Sequence, residues 1–323
     1  MKKLLSILGA CVLMACAPLA LAQRAAGPGP AGPAGPGGPG RGAPPPAPAP
    51  FQPTNVKHGT VSAHWYHSPV TNAERRMLVY TPPGYETSKK KYPVLYLFHG
   101  GGGNEDNWVD SGLAHIGLDN LTAEGRFVPM IVVMPNANWD MPAAPKHSPP
   151  AVAGTNPNTG GPGGQAPMGL DMDKAVDDIV KGEIPYIEKH FRALKGRENR
   201  AITGLSMGGG IAISVGLARL DQFAWIGEFS TGLFGGVNGA AYEPFDAEAL
   251  APGFFSNAAA TNKKIKLLYF SCGTEDPRIK FTEDVANDMN RRGVKATFAS
   301  FPGGHEWSVW RDSLVDFGSK LFR

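Results

Sequence analysis

Cysteine is scarce in this chain: Cys11, Cys16 and Cys272 are the only three in 323 residues. The first two fall in a stretch that reads as a cleaved leader. An intramolecular disulfide is then excluded, and the folded body must be held by its core. A dominant charge is missing as well. There are 31 basic and 28 acidic side chains, and loss of the leader's Lys2 and Lys3 leaves 29 against 28. So balanced a chain has no electrostatic reason to seek nucleic acid or an anionic surface. The runs Lys89-Lys90-Lys91 and Lys263-Lys264 read as solvated loop charges. A membrane span is not expected either, because the apolar run 4–21 is too short and too rich in Ala and Cys for one.

What the amino terminus does carry is Met1-Lys2-Lys3, that apolar run, and small residues at Ala20 and Ala22. This is the pattern of a secretory signal cleaved after Ala22, which predicts a secreted or periplasmic protein. Leu13-Met14-Ala15-Cys16 permits a second reading, a lipoprotein anchored at Cys16. Residues 23–54 are dominated by Pro, Gly and Ala and read as a linker, part flexible and part extended. A single folded domain is expected over residues 55–323, long enough for one sizeable core.

Within that domain, apolar runs of strand length alternate with segments of helical period. Strands are predicted at 77–81, 94–98, 130–134, 201–203, 225–229, 267–271 and 296–301. Helices are predicted at 113–124, 172–191, 208–220, 281–291 and 309–322. In the last of these, Trp310, Leu314, Phe317 and Leu321 share one face, which should be buried. Strands without polar alternation, separated by helices, predict an α/β fold: a mainly parallel sheet with helices on both faces. In such a sheet the loops at the carboxyl ends of the strands meet in one crevice. Four of those loops carry polar chemistry: HGGGG at 99–103, GLSMG at 204–208, GTEDPR at 273–278 and PGGHEW at 302–307.

Ser206, in Gly204-Leu205-Ser206-Met207-Gly208, admits two readings. A serine before a helix is a good N-cap. Between a short β-branched run and a small-residue helix, the same pentapeptide is also a G-x-S-x-G elbow, which exposes a nucleophilic hydroxyl on a strained turn. A serine nucleophile needs a base, and the base needs an orienting group. His305, after a strand and behind Gly303-Gly304, is the candidate base, and Asp276 the candidate orienter, with Glu275 as an alternative. The order Ser206, Asp276, His305 is that of the α/β-hydrolases. Among the other histidines, His58, His64, His67 and His190 read as surface or core-edge residues, His147 as part of a Pro-rich loop and His115 as the start of a helix. His99 reads as a turn-shaping residue. An oxyanion would be met by the backbone N–H groups of Met207 and Gly101. The glycines at 100–103 lack the Gly-Lys-Ser/Thr of a phosphate loop, and HEWSV lacks the second histidine of a zinc helix, so neither metal nor cofactor is expected.

The blocks YPVLYLFHGGGGNEDNW, DNLTAEGRFVPMIVVMPN, EIPYIEKHF, RAITGLSMGGG, SCGTED and GGHEW, in that order, resemble the putative-esterase family of α/β-hydrolases. That family includes feruloyl and acetyl-xylan esterases of carbohydrate esterase family 1, enterochelin-type esterases, S-formylglutathione hydrolase and mycolyltransferases. The resemblance implies a catalytic triad at Ser206, Asp276 and His305 and oxyanion donors at Gly101 and Met207. It also implies an acyl ester on plant-wall polysaccharide, or a small-molecule ester, as substrate. A trilactone siderophore esterase, an acyltransferase and a catalytically silent binding domain are the competing readings. Trp108, Trp139 and Trp307 are candidates to stack on an aromatic acyl group or a sugar ring. Residues 139–168 form a long Pro/Gly-rich insertion that should border the pocket. Oligomeric state is open.

Overall fold

A computed structural model of the chain describes residues 49–139, 172–231 and 246–323. The leader, the Cys16 anchor, the linker as far as residue 48 and residues 140–168 of the insertion lie outside the described residues. The chain divides at Pro45/Pro46, and the second unit holds everything that follows.

Strands β1 (Thr60–Ser68) and β2 (Ala73–Thr81) form an antiparallel hairpin. After β3 (Val94–Phe98) come α1 (Asn107–Asp110), α2 (Ala114–Ala123) and β4 (Ile131–Pro135). Helix α3 (Met172–Asp177) runs through a π-helical turn, Asp178–Glu183, into α4 (Ile184–His190). Then follow β5 (Arg200–Gly204), α5 (Met207–Ala218), β6 (Trp225–Phe229), α6 (Ala247–Leu250), α7 (Ala258–Lys264) and β7 (Leu267–Gly273). Helix α8 (Ile279–Arg291), β8 (Thr297–Phe301) and α9 (Trp307–Gly318) close the chain. The eight strands lie in the order β1-β2-β4-β3-β5-β6-β7-β8, with β3 to β8 parallel and β1 and β2 antiparallel at one edge.

The pleat divides the core in two, because successive side chains of a strand point to opposite faces. In β3, Val94, Tyr96 and Phe98 join α3, α4, α5 and α8 on one side. Leu95 and Leu97 join α2 and α9 on the other. Helices therefore cover both faces, and every predicted strand and helix has its counterpart. The expected face of α9 is buried, with Phe317 and Leu321 fully enclosed.

Strand β1 was not expected. Its sequence TVSAHWYHS has no apolar run, and only Tyr66 and Ser68 are buried, as suits an edge strand. Strand β2 begins four residues before the predicted start, through the charged Glu74-Arg75-Arg76. Burial of Arg75 is offset by the carbonyls of Asn136 and Asn138, which accept from its guanidinium at 2.6 and 3.3 Å.

The segment before β1 packs on the body. Phe51 is buried against Gly117, where a Cβ would come within 2.5 Å of its ring. The Asn120 amide donates to the carbonyls of Pro50 and Gln52. Asp119 accepts from the Gly59 N–H at 2.8 Å and the Tyr80 hydroxyl at 2.7 Å. Cys272 is fully buried in β7. Burial and then the nearby Asp276 and Glu228 carboxyls push its thiol up to about 12, so it serves as a small hydrophobe.

Candidate active site

The turn between β5 and α5 is built by steric exclusion. Ser206 has φ 51° and ψ −117°, a region that a side-chain-bearing residue enters only under constraint. Its N–H donates to the Phe229 carbonyl of β6 at 2.7 Å. On either side the backbone is too close for a side chain. A Cβ on Gly204 would sit 2.6 Å from the Gly208 carbonyl, and one on Gly208 would sit 2.3 Å from the His99 carbonyl. Ser206 caps α5 by position only, since its hydroxyl bonds no N–H of the helix.

The hydroxyl instead meets His305. Ser206 Oγ lies 3.0 Å from His305 Nε2, and His305 Nδ1 lies 2.7 Å from Asp276 Oδ2. An ionised carboxylate only accepts, so Nδ1 carries the imidazole proton and Nε2 accepts from the serine O–H. Three loops, after β5, β7 and β8, thus bring the three sequence-selected residues into one row. The acid and histidine loops are pressed together: a Cβ on Gly273 would lie 2.3 Å from the Gly303 carbonyl. Across that contact the Thr274 and Glu275 N–H groups donate to the Phe301 and Gly303 carbonyls at 2.8 and 2.9 Å. The His305 ring is backed edge-on by Trp310 at 4.9 Å.

Asp276 is 1% exposed, and its burial alone would raise its pKa. The hydrogen bond from His305, the Arg278 N–H, the imidazole charge and the Arg278 guanidinium outweigh that and hold it down to about 2. Glu275 is exposed at the surface, so the buried neighbour is the one that reaches the imidazole.

The loop after β3 lies beside the serine. A Cβ on Gly100 would lie 3.4 Å from that of Ser206, and one on Gly101 would lie 3.9 Å from that of Met207. Met207 opens α5, so its N–H is among the first-turn donors that find no partner within a helix. The loop is pinned from below by His99, which is 1% exposed. Its Nε2 accepts from the Ala137 N–H at 2.9 Å, so Nδ1–H donates to the Gly100 carbonyl at 2.8 Å. From the side, Asn138 donates to the Gly103 carbonyl at 2.8 Å. Glu105, almost fully buried, accepts from Arg76 at 2.7 Å and from Asn136 at 2.6 Å. Sequence reading assigned His99 to the turn but missed the Arg76–Glu105–Asn136 set. The Glu-Asp pair after the glycines was its only trace.

Burial lowers the His99 pKa to about 4, with Arg75 adding to the effect and the Gly100 carbonyl opposing it. The unfolded chain therefore binds a proton at pH 5 that the folded chain refuses. Stability is complete above the ordinary imidazole value of 6.5 and declines as pH falls from there towards 4. The total is on the order of 3 kcal/mol. Urea titrations from pH 7 to 4 check this: His99→Asn should flatten the pH dependence over that interval.

The three tryptophans separate. Trp108, a candidate for substrate stacking, is 1% exposed. Its indole N–H donates to the Phe98 carbonyl at 2.9 Å and its ring meets Phe229 and Trp307 edge-on, which leaves no face for a ligand. Trp139 is 8% exposed and donates to Asp178 Oδ2 at 2.7 Å, in the core with Tyr66 and Arg75. Large aromatic area is worth more buried than exposed, and both positions follow that rule. Trp307 is half-buried at the start of α9, two residues from His305, and packs edge-on against Trp108 and Trp310 at 5.3 and 5.2 Å.

With that geometry in place, comparison with known proteins identifies the class. The "Putative esterase" family profile matches residues 68–320, and the chain belongs to that family. Its fold is that of the α/β-hydrolase esterases. Among curated relatives, an endo-1,4-beta-xylanase/feruloyl esterase of Xylanibacter ruminicola is 28% identical over 274 residues, 83% of this chain and 32% of the relative. The chain thus spans about a third of that protein and about half of another relative, from Corynebacterium glutamicum. Among solved structures, a CE1 ferulic acid esterase from Anaeromyces mucronatus in complex with ferulic acid superposes with a TM-score of 0.66 and 26% identity. That match covers 85% of this chain and 96% of the other. A second ferulic acid esterase gives a TM-score of 0.62 and 27% identity over 82% of this chain and 97% of its own.

Proposed function

We propose that this protein is an exported serine carboxylesterase acting through an acyl-enzyme, with feruloyl or acetyl esters of plant-wall polysaccharide as its substrate class. The observation that carries the reading is the row formed by Ser206 Oγ, the His305 imidazole and the Asp276 carboxylate, at 3.0 and 2.7 Å. Ser206 Oγ attacks the ester carbonyl while His305 Nε2 takes its proton. The tetrahedral oxyanion is met by the N–H groups of Gly101 and Met207. As the intermediate collapses, His305 returns the proton to the departing alcohol. A water then enters by the same route in reverse, releasing the acid and restoring the serine. Asp276 stays ionised throughout and stabilises the imidazolium. Trp307, half-buried and two residues from His305, is the aromatic side chain that would face an aromatic acyl group.

The substrate class is supported by the relatives named above, and export by the amino-terminal pattern. Hydrolysis of methyl ferulate, p-nitrophenyl acetate and a catecholate trilactone, compared at equal enzyme, tests the reading. A kcat/KM for methyl ferulate at least tenfold above the trilactone is expected, together with fluorophosphonate labelling at Ser206. Preference for the trilactone, or labelling absent from Ser206, would overturn it.

A further inference from the structure

The carboxylate that orients His305 is held by a second charged residue. Asp276 Oδ2 accepts from the imidazole, and Oδ1 accepts from two donors of one residue: the Arg278 backbone N–H at 3.0 Å and its guanidinium Nη1 at 3.1 Å. The Asp276 side chain has no exposure and that of Arg278 is 18% exposed, so water is a weak competitor for this pair. The guanidinium Nε is buried, with no hydrogen-bond partner among the described residues. Arg278 belongs to no step of the reaction described above and touches neither Ser206 nor the position of an oxyanion. Resting on the esterase reading, we propose that Arg278 is a positioning residue, whose guanidinium clamps Asp276 so that Oδ2 faces His305 and whose charge tempers the carboxylate's pull on the imidazole.

Two consequences separate this role from simple packing. With the clamp in place, the carboxylate has one orientation available, because turning it would leave two donors without an acceptor. The cation also offsets part of the charge of the carboxylate that faces the imidazole, so its removal should be read in the acid limb of the pH profile. The other charged or titratable groups around His305 do not supply this. Glu275 is exposed, and Glu306 uses its carboxylate on the Gly304 N–H. Glu228, buried in β6 with its carboxylate accepting the Thr231 N–H, is pushed well above the usual carboxylate range by burial. Arg278 is the basic side chain paired with Asp276.

The test is the pH profile of kcat/KM for methyl ferulate, or for the best ester of the panel, in the full-length protein. Arg278→Gln keeps the backbone donor and removes the charge. A kcat lowered about five- to twentyfold with KM within twofold is expected, with the acid limb moved up by about half a pH unit or more. Arg278→Lys, a point charge without the planar fork, should return the acid limb to its wild-type position while recovering kcat only in part. Arg291→Gln changes net charge equally at an exposed position of α8 and should leave the profile untouched. An acid limb and kcat unaltered in Arg278→Gln would overturn the proposal. So would a lowered kcat with an unmoved limb in both variants, the mark of a packing role. Should Arg278→Gln fail to fold, Arg278→Met, which removes the charge but keeps most of the stem, takes its place: a limb moved up supports the proposal and an unmoved limb overturns it. The esterase reading fails separately, if the wild type turns over none of the esters or Ser206→Ala retains its rate.

Discussion

Replacing Ser206 by Ala should lower kcat on any accepted ester by about 10⁵- to 10⁶-fold, on the order of 7 to 8 kcal/mol of transition-state stabilisation, with KM changed little. The size follows from the arrangement. The hydroxyl 3.0 Å from His305 Nε2 is the atom that would form the acyl bond, and nothing else in the row can replace it. His305→Ala should be nearly as damaging, and the double variant should be no worse than either alone, because a base without its nucleophile and a nucleophile without its base do equally little. Asp276→Asn tests the third member separately. An amide in place of the carboxylate donates towards Nδ1, moves the imidazole proton to Nε2 and leaves no acceptor for the serine O–H, at about 10⁴-fold in kcat. Pre-steady-state assays at high enzyme concentration read all four variants. An alanine variant at Ser206 that kept even a hundredth of the wild-type rate would remove the serine from the chemistry. Above about pH 3 the carboxylate, held down to about 2, stays ionised, so the acid limb of the profile does not report its titration.

How far this site could be read from the sequence depends on whether its information is local. The elbow could be read because its cause is local: a strand, a strained turn and a helix demand glycine at two fixed offsets from the serine. Asp276 and His305 could be read because a parallel sheet sends every strand's carboxyl end to one edge, so residues just past apolar runs must meet there. Strand β1 could not, since an edge strand with one half-wet face has no apolar run to announce it. Arg75 and Arg76 look like surface charges in the sequence, yet their partners stand 61 and 29 residues away, at Asn136 and Glu105. The same limit applied to the tryptophans. An aromatic ring suited to stacking made Trp108 a candidate for substrate contact, but the carbonyl of Phe98 and the rings of Phe229 and Trp307 enclose it. Arg278 sits between these cases. It lies two residues from the acid, and only the turn of the chain after β7 reveals that its guanidinium folds back on Oδ1.

Gly208→Ala should separate the geometry of the elbow from its chemistry, because it changes the identity of no reacting group. The added methyl would lie 2.3 Å from the His99 carbonyl and 2.7 Å from that of Phe98, backbone atoms rather than yielding side chains. Neither can retreat freely. Phe98 ends a central strand paired with β5, and His99 is fixed by its own hydrogen bonds to Gly100 and Ala137. Alanine's better helix propensity returns about 1 kcal/mol at most. Overpacking against backbone should exceed that, for a net loss of about 2 to 4 kcal/mol and a melting temperature lower by about 5 to 10 °C. Gly304→Ala, where a Cβ would find nothing within 4 Å, is the matched control and should melt as the wild type does. What yields first in Gly208→Ala is the elbow itself, since α5 can relieve the clash only by drawing Ser206 and the Met207 N–H away from His305 and Gly101. A displacement of about 1 Å there is worth a hundredfold or more in kcat/KM. Calorimetry and kinetics on the two variants should therefore show activity falling far more steeply than stability in the first and neither changing in the second. Wild-type activity in Gly208→Ala would mean that the serine does not depend on the strained turn that holds it.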